Sequence, residues 1–236
     1  MSGAPRVLAI DGPAGAGKSS TARALAERLG FAYVDTGAMY RALALKALRQ
    51  GVPLDSGPGM HELLQSTELH FDAEGRLFVD GIDETLAIRS PDASRGSSVV
   101  AAHGPVREVL VEKQRRLARG SGSVVMEGRD IGTVVCPESP VKIFLEADLE
   151  ERARRRIRQQ GLVPTPGEME RVMNAIRARD SSDEGRAEGP LRAAPDALRI
   201  DTTGLSFDAQ VERVLAAVKS RWPADWGRFP GDGPSR

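Results

Sequence analysis

Gly12-Pro13-Ala14-Gly15-Ala16-Gly17-Lys18-Ser19 fits the spacing G-x-x-x-x-G-K-[ST], and its flanks give that spacing a physical meaning. The apolar run Val7-Leu8-Ala9-Ile10 ahead of it reads as a buried parallel strand. Ser19 to Leu29 behind it reads as a helix with Ala22, Leu25, Ala26 and Leu29 on one face. Glycines let the backbone wrap a phosphate closely, so that several N–H groups converge on its oxygens. The helix N-terminus adds a favourable dipole. Lys18 is placed to reach the β- and γ-phosphates, and the Ser19 hydroxyl to ligate Mg²⁺. A glycine-rich turn without a ligand has no need of strand, loop, Lys-Ser pair and helix in this order. The chain is expected to bind a nucleoside triphosphate.

Its 236 residues allow one large domain or a domain with an insertion. Lys plus Arg and Asp plus Glu both number 33, so net charge gives no general attraction to nucleic acid or to an anionic membrane. The segment Met1 to Arg6 lacks the apolar run of a secretory signal, and the single cysteine, Cys136, excludes an internal disulfide. Both fit a cytoplasmic protein. Arginine outnumbers lysine 28 to 5, and a minority of these arginines are expected to act as phosphate forks.

Phe31-Ala32-Tyr33-Val34-Asp35 reads as a second buried strand and Ala38 to Gln50 as a second helix, which argues for a parallel α/β sheet. Between Met60 and Arg89 the rhythm breaks. Leu69-His70-Phe71-Asp72 and Leu77-Phe78-Val79-Asp80 alternate around Ala73-Glu74-Gly75-Arg76, a hairpin, with a third short strand expected at Thr85-Leu86-Ala87-Ile88. Beyond this insert a helix is expected from Gly104 to Arg119 and strands at Val124–Glu127 and Val141–Leu145. A very basic helix from Leu149 to Gln160, too charged for an ordinary apolar face, precedes a Pro/Gly break and a helix to Ser181. Leu198–Asp201 supplies the last of five parallel strands, and a helix from Ser206 to Ser220 closes the chain. Residues 222–236, rich in Pro and Gly, are expected to be disordered.

A GTPase would need an N-K-x-D motif, and the lone Asn174, in Met173-Asn174-Ala175-Ile176, rules it out. Glu127 ends an apolar strand and could hold Mg²⁺ or polarise water, so a motor-type ATPase stays open on that feature. Other constellations favour transfer to a small acceptor. Asp35-Thr36-Gly37-Ala38-Met39-Tyr40-Arg41 follows the second strand and lies at the carboxyl edge of the sheet, where Arg41 can fork an anion. Glu127-Gly128-Arg129-Asp130 lies at the same edge. Arg107 starts a helix, and the arginines of Glu151 to Arg158 suit a mobile lid that closes on phosphates. Arg179-Asp180-Ser181-Ser182-Asp183-Glu184-Gly185-Arg186 adds further forks on the return from that lid.

The segments IDGPAGAGKSS, YVDTGAMYRALAL, AIRSPDASRGSSVVAAHGPVRE, EGRDIGTVVCPESPVKIFLEAD and RARDSSDEGRAEGPL, in this order, resemble those of bacterial cytidylate kinases. The resemblance runs from about Val7 to Val218. It implies the P-loop kinase fold, a five-stranded parallel sheet flanked by helices, with a small antiparallel three-stranded insertion and a helical lid. It further implies one domain over residues 1–221, with a core of 6–35, 104–148 and 187–221. A monophosphate-binding region at 36–103 would include the insert near 63–90, and the lid would span about 152–186. The family transfers the γ-phosphate of ATP, with Mg²⁺, to CMP or dCMP. By similarity, Gly12 through Ser20, with Arg155, would hold ATP, and Thr36, Tyr40, Arg41 and Arg129 the acceptor phosphate side. Arg107, Asp130 and Ser98 would read the cytosine, Asp183 and Arg186 the sugar, and Arg179 would clamp phosphate. Lys18, Arg41, Arg129 and Arg179 would be catalytic, with Arg154 a further lid residue. The family also suggests a monomer acting on free nucleotides. Glu127 stands where an Asp is expected and Thr36 where a Ser is frequent; neither change removes a functional group. A uridylate- or shikimate-type kinase remains the nearest alternative.

Overall fold

A computed structural model describes residues 5–72 and 74–230. Along the chain run β1 (Arg6–Asp11), α1 (Lys18–Leu29), β2 (Ala32–Asp35), α2 (Thr36–Gln50), α3 (Gly57–Gln65), β3 (Leu69–Phe71), β4 (Leu77–Val79), β5 (Ile82–Asp83) and α4 (Pro91–Val100). They are followed by α5 (Gly104–Gly120), β6 (Ser123–Gly128), β7 (Val141–Glu146), α6 (Leu149–Gln159), α7 (Pro166–Glu184), β8 (Leu198–Asp201) and α8 (Phe207–Ser220). The main sheet has five parallel strands in the order β2-β6-β1-β7-β8.

Because strand side chains alternate, β1 supplies both layers of the core. Leu8 and Ile10 join Leu25 and Leu29 of α1 and Val214 and Val218 of α8 on one face. Val7 and Ala9 join Val34, Met126 and Val111 on the other. Register then lines up the strand ends: Asp11 pairs with Gly128, and Asp35 with Glu127. Parallel strands thus deliver three acids and the Gly128-Arg129-Asp130 turn to one edge, beside the Gly12–Ser19 loop.

The insert is a three-stranded antiparallel sheet, but its third strand is Ile82–Asp83 rather than 85–88. Asp80 (φ 50°) and Gly81 (φ 80°) make a two-residue turn that starts the strand earlier, while Ala87–Arg89 winds as a 3₁₀ turn. Ala73, in the expected first turn, lies outside the described residues. Helices α3 and α4 were not legible; each is short, opens on a serine cap followed within two residues by Pro, and carries few apolar positions. The basic helix α6 does have an apolar face, reduced to Ala153 and Ile157, which pack on Val172 and Ile176 of α7 to make a helical hairpin.

The expected disorder of 222–236 is corrected over its first part. Trp222 stacks edge-on against Trp226 at 5.1 Å and Phe229 at 4.8 Å, and Trp226, 6% exposed, joins the core beneath α1 and α8. Three spaced aromatics anchor a stretch whose Pro/Gly content suggested none; residues 231–236 lie outside the described residues. Trp226→Ala should cost about 3–5 kcal/mol in urea denaturation. An unchanged midpoint would show that the aromatic cluster contributes no stability.

Candidate active site

The Gly12–Ser19 loop is shaped by glycine. Gly12 (φ 149°), Gly15 (φ 80°) and Gly17 (φ 88°) hold conformations that L side chains rarely adopt. A Cβ on Gly12 would run into the Leu145 carbonyl, and one on Gly17 into the Gln210 amide. Lys18 is 6% exposed, and its ammonium donates to the Pro13 carbonyl at 2.8 Å, curled over the loop. Burial, then Arg129, push its pKa down to about 7, while Glu127 pulls it back up. An anion beside it would restore a full charge.

Glu127 is 3% exposed and accepts from the Tyr33 hydroxyl at 2.8 Å and from Ser19. Burial, then Asp35, raise its carboxyl above the ordinary range. The Ser19 hydroxyl and the Glu127 carboxylate make a hard-oxygen pair at the mouth of the loop, a donor set suited to Mg²⁺. Thr36 donates its hydroxyl to the Glu127 carbonyl at 2.7 Å, so that contact ties the two strand ends together.

Asp35 has two tasks. It caps α2 through the Ala38 amide (3.0 Å) and holds Arg41 at 2.6 Å. Burial opposes its ionisation, but Arg41, the Ala38 amide and Arg89 outweigh burial and hold the carboxyl below 3.8. Across the cleft Arg129 donates to Asp183 at 2.8 Å, and Arg186 lies 3.7 Å from the same carboxylate. Burial works against that carboxylate too, yet Arg129, Arg186 and Arg179 keep it low. Arg179 is pushed down to about 10 by burial and by Arg129 and Arg41. Nε of Arg41, Nε of Arg179, and Nε and Nη2 of Arg186 are buried with no partner.

Arg107 and Asp130 form a buried ion pair, with the Arg107 guanidinium 5.8 Å from the Tyr40 ring centroid. Burial raises the Asp130 carboxyl, and Arg107 and Arg186 pull it back toward the ionised form. Gly189 (φ 57°) lies so close that a Cβ there would strike both members of the pair. Ser98 is half-buried on α4, and no hydrogen bond among the described residues ties it to that pair.

Arg155 is engaged by the protein itself. It donates to the Thr202 carbonyl (2.6 Å), the Ala16 carbonyl (3.3 Å) and Glu151 (2.9 Å), which fastens the lid to the loop from behind. Arg154 pairs with Glu150 on the surface, away from the cleft. Two acids escaped the sequence reading. Asp180 accepts the Ala14 amide at 3.1 Å and pairs with Arg152, so both lid helices touch the phosphate loop. Asp11 accepts the Ile131 and Gly132 amides at 2.8 Å each. Burial pushes its carboxyl up to about 7 against the pull of those amides. An acid at the end of an apolar strand was the available signal for Asp11; nothing in the sequence distinguished Asp180.

A family model, cytidylate kinase, matches residues 8–220. The chain belongs to the cytidylate kinase family. A cytidylate kinase from Desulfitobacterium hafniense (strain Y51) is 51% identical over 219 residues, covering 91% of this chain and 93% of the relative. One from Pelotomaculum thermopropionicum is 51% identical over 217 residues, covering 90% and 96%. One from Caldanaerobacter subterraneus subsp. tengcongensis is 49% identical over 212 residues, covering 90% and 94%. The family is one of phosphotransferases, and the half-buried guanidinium groups around the phosphate loop agree with that chemistry.

Since the Asp35 carboxyl lies below its unfolded value, its stabilising effect is present above about pH 4 and is lost as pH falls through the folded value. Asp35→Asn keeps the cap acceptor and leaves Arg41 unpaired, so it should cost about 3 kcal/mol at pH 7. The difference between the two urea midpoints should shrink as pH is lowered below about 4 and Asp35 takes up its proton. A loss that stays the same at every pH would contradict the pairing.

Proposed function

We propose that the protein transfers the γ-phosphoryl group of ATP to CMP and dCMP. The observation that carries this reading is the cluster of Lys18, Arg41, Arg129, Arg179 and Arg186. Lys18 is buried and the four arginines half-buried, three of them with orphaned buried N–H groups, beside a glycine loop of P-loop shape. Guanidinium N–H groups buried without an acceptor are costly, and anionic substrates would relieve that cost.

In this reading the loop amides and Lys18 hold the ATP phosphates. Ser19, with Glu127 beside it, would hold Mg²⁺, which when bound neutralises charge on the phosphate oxygens. Arg41 and Arg129 would hold the acceptor phosphate, and Arg179 would span donor and acceptor. No side chain has to remove a proton, because a phosphate monoester with a second pKa of about 6 is already ionised. The catalytic task is in-line alignment and charge neutralisation.

Asp130 and Arg107 would face the cytosine edge. A carboxylate accepts from the exocyclic amine of cytosine, whereas uracil offers a carbonyl there. That mismatch costs about 1–3 kcal/mol or more, on the order of 10–100-fold in discrimination. Asp183 and Arg186 would contact the sugar, and the α6–α7 lid would exclude water as a competing acceptor. Among the described residues no helix is long and apolar enough to cross a membrane. A monomer acting on free nucleotides in the cytoplasm is the setting we infer, with no nucleic acid partner.

ADP release from ATP–Mg²⁺ should depend on CMP or dCMP, and should be far slower with UMP, AMP or shikimate. Lys18→Ala should lower kcat by about 10³-fold or more. Asp130→Ala should erase the preference for CMP over UMP. ADP release that ignores the acceptor would replace this reading with an ATPase.

A further inference from the structure

Asp130 occupies an unusual position for a residue whose carboxylate must face a ligand. It opens a wide turn, Ile131–Val135, in which Val135 donates to the Asp130 carbonyl at 3.2 Å and Cys136 to the Ile131 carbonyl at 2.7 Å. The leading amides of such a turn have no partner inside it. An aspartate in the opening position normally folds its own carboxylate back onto those amides. Asp130 does not: its side chain caps nothing and pairs with Arg107 instead.

The amides are taken from a strand 120 residues away in sequence. Asp11, 4% exposed at the end of β1, accepts Ile131 N–H on Oδ1 and Gly132 N–H on Oδ2, both at 2.8 Å. Its backbone pairs in register with Gly128, so the acid is fixed at the point where the Gly128-Arg129-Asp130 turn leaves the sheet. The space is already filled on the far side, where a Cβ on Gly132 would sit 3.1 Å from the Lys142 side chain.

We propose that Asp11 is the positioning residue of the base reader: by capping the turn from β1, it leaves the Asp130 carboxylate free to face Arg107 and the nucleobase. Asp11 is followed directly by Gly12, so the residue that caps the turn also starts the phosphate loop. Asp11 touches no substrate. Without it, the cheapest partner for the orphaned amides is Asp130 itself, which would rotate out of the site. This proposal rests on the reading of Asp130 as the cytosine contact.

Asp11→Asn keeps the volume and one acceptor but turns an amino group toward the second amide. In steady-state kinetics the KM for CMP should rise about tenfold, and the CMP-over-UMP ratio of kcat/KM should fall by a similar factor. The KM for ATP should stay within about twofold. In an Asp130→Asn background the same change should leave the CMP/UMP ratio nearly unmoved, because effects that run through one residue are not additive. Asp11→Ser, which also retains one acceptor, is the second variant should the first fold poorly. NMR supplies a readout free of activity: one or both of the Ile131 and Gly132 amides should lose exchange protection, and the Arg107 side-chain N–H signals should shift. A lowered unfolding midpoint with discrimination and Arg107 signals unchanged would overturn the proposal and leave Asp11 a simple structural tie. Wild-type protein that turns over no CMP would instead sink the functional reading, and the Arg107 signals would still decide the capping claim.

Discussion

A cluster of positive charge, drawn together around the buried Lys18, constrains the rest of this molecule. Lys18, Arg41, Arg129 and Arg179 lie close enough that burial and mutual repulsion depress Lys18 to about 7 and Arg179 to about 10. Such a cluster survives folding only because acids are threaded through it. Asp35 holds Arg41, and Asp183 holds Arg129 with Arg186 beside it. The compensation is incomplete, since several guanidinium N–H groups stay unpartnered. Under the proposed function these N–H groups meet phosphate oxygens, supplying the charge neutralisation that an in-line transfer between two anions requires.

The fold places these charges by simple means. Parallel pairing sets the strand ends in register, so Asp11, Asp35 and Glu127 emerge together beside the glycine loop. Each is spent on fixing something else: Asp11 a turn, Asp35 a helix start and an arginine, Glu127 a tyrosine and a serine hydroxyl. Backbone hydrogen bonding thus fixes the strand ends, and the cations are oriented against that frame. The lid differs. It meets the core through a thin apolar seam of Ala153, Ile157, Val172 and Ile176 and through polar contacts at Ala14, Ala16 and Thr202.

How much of this was legible followed from the range of the interactions. The phosphate loop, its flanking strand and helix, and all five parallel strands could be read, because local periodicity and glycine spacing encode them. The Arg107–Asp130 and Arg129–Asp183 pairs were named only as separate residues. Their partners lie 23 and 54 positions apart, and no local pattern announces such a pairing. Arg155 adds a third case: its bonds to Thr202 and to Ala16 span 47 and 139 positions, and no local pattern announces them. The aromatic anchors of 222–229 were masked by the proline and glycine around them, and the third strand of the insert was displaced because the Asp80-Gly81 turn signal was passed over.

Where the γ-phosphoryl group goes decides the function. ATP labelled in the γ-position, incubated with Mg²⁺, CMP and the protein, settles this when the labelled products are separated and identified. The label should appear in CDP, in amounts equal to the ADP formed. Label recovered as inorganic phosphate at the same rate with or without CMP would contradict it.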